Sequence, residues 1–256
     1  MVDCIAVCGD SFGQGSGIPE PQTFDLSFGG AVASNFDLPL KVYARSGCCN
    51  YVIYLQVMKV IEQAKQGMHN PFVLVTLTNH SRFSIATDTA KDFTAWDLSD
   101  VDYTTYAPYG KDSLIKRQKP FESKKTPTLL SETASNFTWA MMHRKAPNLE
   151  RLFDQIKRKV NSVVSYFRDV YDDEIKHTHD TGLAMLMHHE LLDAGIPHII
   201  MSSEEQRLRF INRKNWAKID WSVFTQKYPD IYKSGHCDER GYKEVADILI
   251  EKIGQL

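Results

Sequence analysis

The chain has 256 residues, with 30 Lys and Arg against 32 Asp and Glu, 43% hydrophobic and 24% charged residues, the profile of an ordinary soluble globular protein. A formal net charge of -2 gives no broad basic face, so a nucleic-acid partner is not expected. No window approaches the apolar length that spans a bilayer, and the amino terminus has neither a basic segment nor a cleavage site, so the expectation is a cytoplasmic protein with no membrane partner. The length lies near the upper limit for one hydrophobic core. One domain over 1–256 is expected, with insertions at 83–147 and 202–235. The five cysteines form no C-x-x-C pair and no set at zinc-finger spacing, which predicts reduced thiols and no metal.

Val2 to Cys8 is a short apolar run ending in Gly-Asp-Ser. It predicts a buried parallel strand that leads into a turn. Thr23 to Phe36 has loosely helical apolar spacing, and Lys41 to Ala44 predicts a second strand. From Asn50 to about Gln66, the pattern Val52, Ile53, Leu55, Gln56, Val57, Val60, Ile61 and Ala64 fits a helix that buries a broad face. Pro71 to Leu77 predicts a third buried strand. The stretch from Phe83 to Pro147 breaks this rhythm and reads as a functional loop or a decorative subdomain.

From Asn148 the periodicity returns, with Leu149, Leu152, Phe153, Ile156, Val160, Val163, Phe167 and Tyr171 spaced by threes and fours. Asp180 or Thr181 reads as the cap of a further helix that runs to Ala194 and ends at Gly195. Ile196 to Met201 then predicts a strand. Ser202 to Gly235 is a second irregular stretch, and Glu239 to Ile253 predicts the closing helix. Helix, glycine, buried strand is the grammar of a parallel sheet. The predicted fold is a three-layer α/β/α sandwich on a short parallel sheet, flavodoxin-like in outline, with the insertions over the carboxyl ends of the strands.

Gly9-Asp10-Ser11 followed by Phe12-Gly13-Gln14-Gly15-Ser16-Gly17 is the most informative stretch. A dinucleotide fingerprint from Gly13 and Gly15 needs glycine at Ile18, and a phosphate-binding P-loop needs a lysine that does not occur before Lys41. The remaining readings are a capped structural turn and a serine exposed at the carboxyl edge of a parallel sheet, where backbone amides can hold an anion.

Val7-Cys8-Gly9-Asp10-Ser11-Phe12, Ala44-Arg45-Ser46-Gly47-Cys48-Cys49-Asn50, Thr76-Leu77-Thr78-Asn79 and Ser234-Gly235-His236 occur in the order of the four blocks of the SGNH/GDSL hydrolase superfamily, which the chain resembles. The resemblance implies a serine esterase without a cofactor. Ser11 would be the nucleophile and His236 its general base. The Ser11 N–H, the Gly47 N–H and the Asn79 side chain would form the oxyanion hole. These residue types suit the chemistry, because serine needs an imidazole to take its proton and the developing oxyanion needs fixed donors. Within the superfamily, the resemblance suggests a short acyl or acetyl ester of a carbohydrate or small molecule as substrate.

The third block has Leu77 where the family has glycine and His80 where it has aspartate. Lys233 occupies the position of the aspartate that orients the histidine. Asp230, Asp238, Glu239 or a backbone carbonyl remains to orient His236, and Asp230 is preferred because the other two carboxylates suit the cap of the last helix. The same departures support an alternative, an SGNH-fold binding or structural module with weakened turnover, for example one that recognises a glycan. Trp96, Tyr103, Tyr106, Tyr109, Trp216 and Trp221 suit sugar stacking under either reading. His177, His179, His188 and His189 read as structural or solvated, and Cys48, Cys49 and Cys237 as small packing residues.

Overall fold

All five residues of strand β1 (Cys4–Cys8) are buried, as a strand flanked on both edges and covered on both faces must be. The computed structural model describes residues 2–19, 22–45, 48–78, 83–86, 103–106, 173–204, 208–232 and 235–256. After β1 come helices α1 (Ser11–Gln14) and α2 (Phe28–Asn35), strand β2 (Leu40–Val42), helix α3 (Asn50–Lys65) and strand β3 (Pro71–Thr76). Strands β4 (Phe83–Ala86) and β5 (Tyr103–Tyr106) form a separate antiparallel pair. Then follow α4 (Asp173–Asp193), β6 (His198–Ser202), a 3-10 turn (Arg213–Asn215), β7 (Trp216–Lys218), α5 (Trp221–Lys227) and α6 (Glu239–Ile253).

The main sheet has the order β2-β1-β3-β6-β7, and every pairing in it is parallel. Counted within this sheet, the order is the flavodoxin-like one, with its switch point between β1 and β3. Alternation along β1 sorts the two cores. Ile5 and Val7 pack with Phe28 and Val32 of α2 and with Tyr242, Val245 and Leu249 of α6. Ala6 and Cys8 pack with Ile53, Val57 and Ile61 of α3 and with Ala184, Met187 and Leu191 of α4. Side chains of period two on a sheet covered by helices on both faces make three layers. Among the described residues no helix is long and apolar enough to cross a membrane.

Three expectations change. Asp180 and Thr181 lie inside α4, whose described part begins at Asp173. Asp180 is spared a capping role because its carboxylate is engaged by Asn50 and Lys176. The stretch 202–235 is not irregular throughout, since it supplies β7, the fifth strand of the sheet, and α5. Three residues are too few for an alternating pattern to reveal a strand. Helical structure in 23–36 begins only at Phe28, where the Ser27 side chain accepts the Gly30 N–H at 3.1 Å as a cap. The periodic run from Asn148 to Tyr171 lies outside the described residues.

Candidate active site

Ser11 opens α1 immediately after β1, at the carboxyl end of the sheet beside the switch point. Asp10 fixes the turn with both oxygens: Oδ1 accepts the Phe12 N–H at 3.1 Å and Oδ2 accepts the Thr78 hydroxyl at 2.8 Å. The preceding peptide is held by Gln56 of α3, whose Oε1 accepts the Gly9 N–H at 2.7 Å and whose Nε2 donates to the Gly9 carbonyl at 3.2 Å. Gly9 itself has no room for a side chain, because a Cβ there would stand 2.2 Å from Thr76 Cγ2. Ser11 is buried, and among the described residues no hydrogen bond engages its hydroxyl.

His236 sits on a loop closed at its base by an antiparallel bridge between Pro229 and Cys237. The Asp238 N–H donates to the Tyr228 carbonyl at 2.8 Å, and the Asp230 N–H to the His236 carbonyl at 3.1 Å. The buried Asp230 carboxylate fills the loop, accepting the Tyr232 N–H at 2.7 Å and the His236 N–H at 3.1 Å. Sequence proximity thus becomes spatial proximity, and the atoms that join Asp230 to His236 here are main-chain atoms of the histidine. Asp238 caps α6 through the Arg240 N–H at 2.9 Å, which is the competing role expected for it.

The Ser11 turn and the His236 loop are in contact. The Phe12 ring lies between Trp221, stacked at 4.5 Å, and the His236 imidazole at 5.0 Å. Gly17 has φ +100°, and a Cβ there would stand 2.7 Å from the Cys237 carbonyl oxygen, 2.9 Å from His236 Cβ and 3.2 Å from Asp230 Cβ. Trp221 is buried, and its Nε1 donates to Thr76 Oγ1 at 3.2 Å. Trp221 is therefore a wall of the core, which corrects its assignment as a sugar-stacking surface.

Beneath the turn runs a buried polar network. Asn50 accepts the Thr78 N–H at 2.9 Å, and its Nδ2 donates to the Thr78 carbonyl at 3.1 Å and to Asp180 Oδ2 at 2.8 Å. Lys176 pairs with the same carboxylate. Thr78 is the residue before Asn79. Asn79, Gly47 and Lys233 lie outside the described residues, as do the side chains of Trp96, Tyr103, Tyr106 and Tyr109. The structure brings Ser11, Asp230 and His236 to one corner.

Of the remaining candidates, His179 and His189 are exposed, His177 is half-buried beside Glu204, and His188 is structural. His188 and His198 are buried, with His188 Nδ1 at 2.8 Å from His198 Nε2 and His198 Nδ1 at 2.9 Å from the Ile196 carbonyl. A carbonyl only accepts, so the proton on His198 is at Nδ1 and the His188 Nδ1–H donates to His198. Cys48, Cys49 and Cys237 are buried thiols. Burial pushes the Cys237 thiol up to about 12, which leaves it protonated and inert.

Asn50, Gln56, Thr78 and Asp180 were not singled out from sequence as parts of this site. Gln56 carried a signal, because an amide inside the apolar stripe of a helix must find a buried partner. No family model matches the chain, and no curated protein is significantly similar to it.

Proposed function

We propose that the chain is a serine ester hydrolase of SGNH/GDSL type, acting on a short acyl or acetyl ester of a carbohydrate or small molecule. The observation that carries this reading is the direct packing of the Ser11 turn, through Phe12 and Gly17, against the Asp230–His236 loop at the switch point of a parallel sheet. Ligands of such sheets bind at that edge. In the proposed reaction the Ser11 oxygen attacks the ester carbonyl while His236 takes its proton. His236 then returns that proton to the leaving alkoxide as the acyl–oxygen bond breaks, and water releases the acyl group by the same route. The Ser11 N–H, Gly47 N–H and Asn79 amide would hold the oxyanion.

A fluorophosphonate probe tests the assignment. Labelling of Ser11, found by peptide mass spectrometry, together with loss of p-nitrophenyl acetate hydrolysis in Ser11→Ala is the expected result. Hydrolysis that survives Ser11→Ala would remove Ser11 from the mechanism. Lys233, at the family's aspartate position, favours a second reading as a binding module with the same frame. A parent protein that hydrolyses no ester and takes no label supports that reading.

A further inference from the structure

The amino ends of β1 and β3 form the edge of the sheet opposite the candidate site. There Asp3, Cys4 and His69 bring a carboxylate oxygen, a thiol sulfur and an imidazole nitrogen within 4.8 Å of one another. Among the described residues this is the only such group of three. The sheet itself assembles it. Cys4 pairs with Pro71 in the parallel register, and the Asp3 N–H donates to the Asn70 carbonyl at 2.9 Å. The Asp3 carboxylate in turn accepts from the Asn70 main chain, which holds its pKa below the usual value. Both chain segments that carry the donors are therefore fixed in place.

Cys4 is fully buried, yet it belongs to neither hydrophobic core. Burial first, and then the neighbouring Asp3 carboxylate, push its thiol up to about 12. Asp3 is exposed and His69 half-buried, so the group is open to solvent on one side.

We propose that Asp3, Cys4 and His69 form a binding site for a thiophilic divalent cation of the zinc class. One sulfur, one nitrogen and one oxygen donor suit a borderline-soft ion that takes tetrahedral geometry with an open fourth position for water. Calcium and magnesium require oxygen donors throughout. Bond lengths of about 2.0–2.3 Å place tetrahedral donors roughly 3.5 Å apart, so from separations within 4.8 Å no side chain has far to move. The Cys4 S–H bond breaks, sulfur keeps the electron pair and bonds the cation, and one proton leaves to solvent with no redox change. Cation, thiolate and carboxylate then sum to zero charge, with Lys41 as the neighbouring cation. The site would staple the starts of two central strands and is independent of the esterase reading.

The test titrates the full chain, with its thiols kept reduced by a phosphine, with Zn2+ and with Co2+ as a spectroscopic substitute. One equivalent should bind, with a thiolate-to-cobalt charge-transfer band, with tighter binding as pH rises and about one proton released per cation near neutral pH, and with a raised melting temperature at saturating zinc. Cys4→Ser should abolish the band. His69→Ala, at a half-buried turn outside both cores, should keep the fold and weaken zinc binding at least tenfold, since even outer-shell losses cost 10–100-fold. A parent without the band, a band that survives Cys4→Ser, or unchanged zinc affinity in His69→Ala overturns the site.

Discussion

Asp230 grips His236 by the main chain, with Oδ2 on the His236 N–H at 3.1 Å while Oδ1 holds the Tyr232 N–H at 2.7 Å. Both oxygens are acceptors, so an amide cannot replace the carboxylate without turning an NH2 group toward a backbone donor. Asp230→Asn is expected to cost about 1–3 kcal/mol of stability and to lower turnover by letting the loop shift. Urea denaturation and ester hydrolysis measured on the same preparation check this. Full stability in Asp230→Asn contradicts the clamp, whatever happens to turnover.

Gly17 is one of two points, with Phe12, at which the two halves of the site touch. At φ +100° an L side chain is strained by about 1–3 kcal/mol, and the added methyl would displace His236 Cβ and the Cys237 carbonyl. Gly17→Ala should therefore reduce turnover far more than Gly67→Ala, which is also strained, at φ +71°, but meets nothing within 4 Å. Comparing kcat of the two variants separates backbone strain from displacement of the histidine loop. Equal losses count against the contact as a positioning element.

Asn50 makes three hydrogen bonds from a fully buried amide. Its replacement by alanine leaves Thr78 and Asp180 with unmet polar groups and should cost roughly 3–5 kcal/mol. In Asn50→Asp, two carboxylates meet where an amide donated to a carboxylate at 2.8 Å. The folded state then favours a proton on the pair, so this variant should gain stability relative to the parent as the pH is lowered. Chemical denaturation at neutral and acidic pH reads both effects. A variant with no relative gain in acid rules out direct contact between positions 50 and 180.

Burial, with His198 and His189 close by, pushes His188 down to about 4 from an ordinary 6.5, and burial lowers His198 as well. Between those two pH values the unfolded chain binds a proton that the folded chain refuses, so stability falls as the pH drops from about 6.5 to about 4 and the slope vanishes below. The loss for His188 is roughly 3 kcal/mol at most. His188→Asn keeps a donor toward His198 without titrating. The stability of this variant should depend less on pH across that window, and a slope equal to the parent's would place the acid sensitivity elsewhere.

The parallel sheet was legible because Cys4 to Cys8, Pro71 to Leu77 and His198 to Met201 are buried, and strands buried on both faces read as near-continuous apolar runs. The last helix was legible from its amphipathic spacing and its Asp238 cap. Strand β7 escaped detection because three residues at a sheet edge, only one of them buried, carry no period. The corner that joins Ser11, Asp230 and His236 was partly legible from the Gly-Asp-Ser turn and from the spacing of Asp230 to His236. The supports beneath it were not, since Asn50, Thr78 and Asp180 become neighbours only when α3, β3 and α4 pack. Asp3, Cys4 and His69 escaped notice for the same reason: their proximity is a property of the β1–β3 register, and no spacing along the chain encodes it.

The Asn50 amide also bears on how this protein can change over evolutionary time. Thr78 follows the end of β3, and Asp180 lies in α4, the helix before β6. One side chain ties both to α3. Everything between them is thus rooted, at departure and at return, near a single point of the framework. The amide thus sets the spacing of the β3 end and of α4 from α3 whatever chain joins them, and a change at this one position would be felt by both at once.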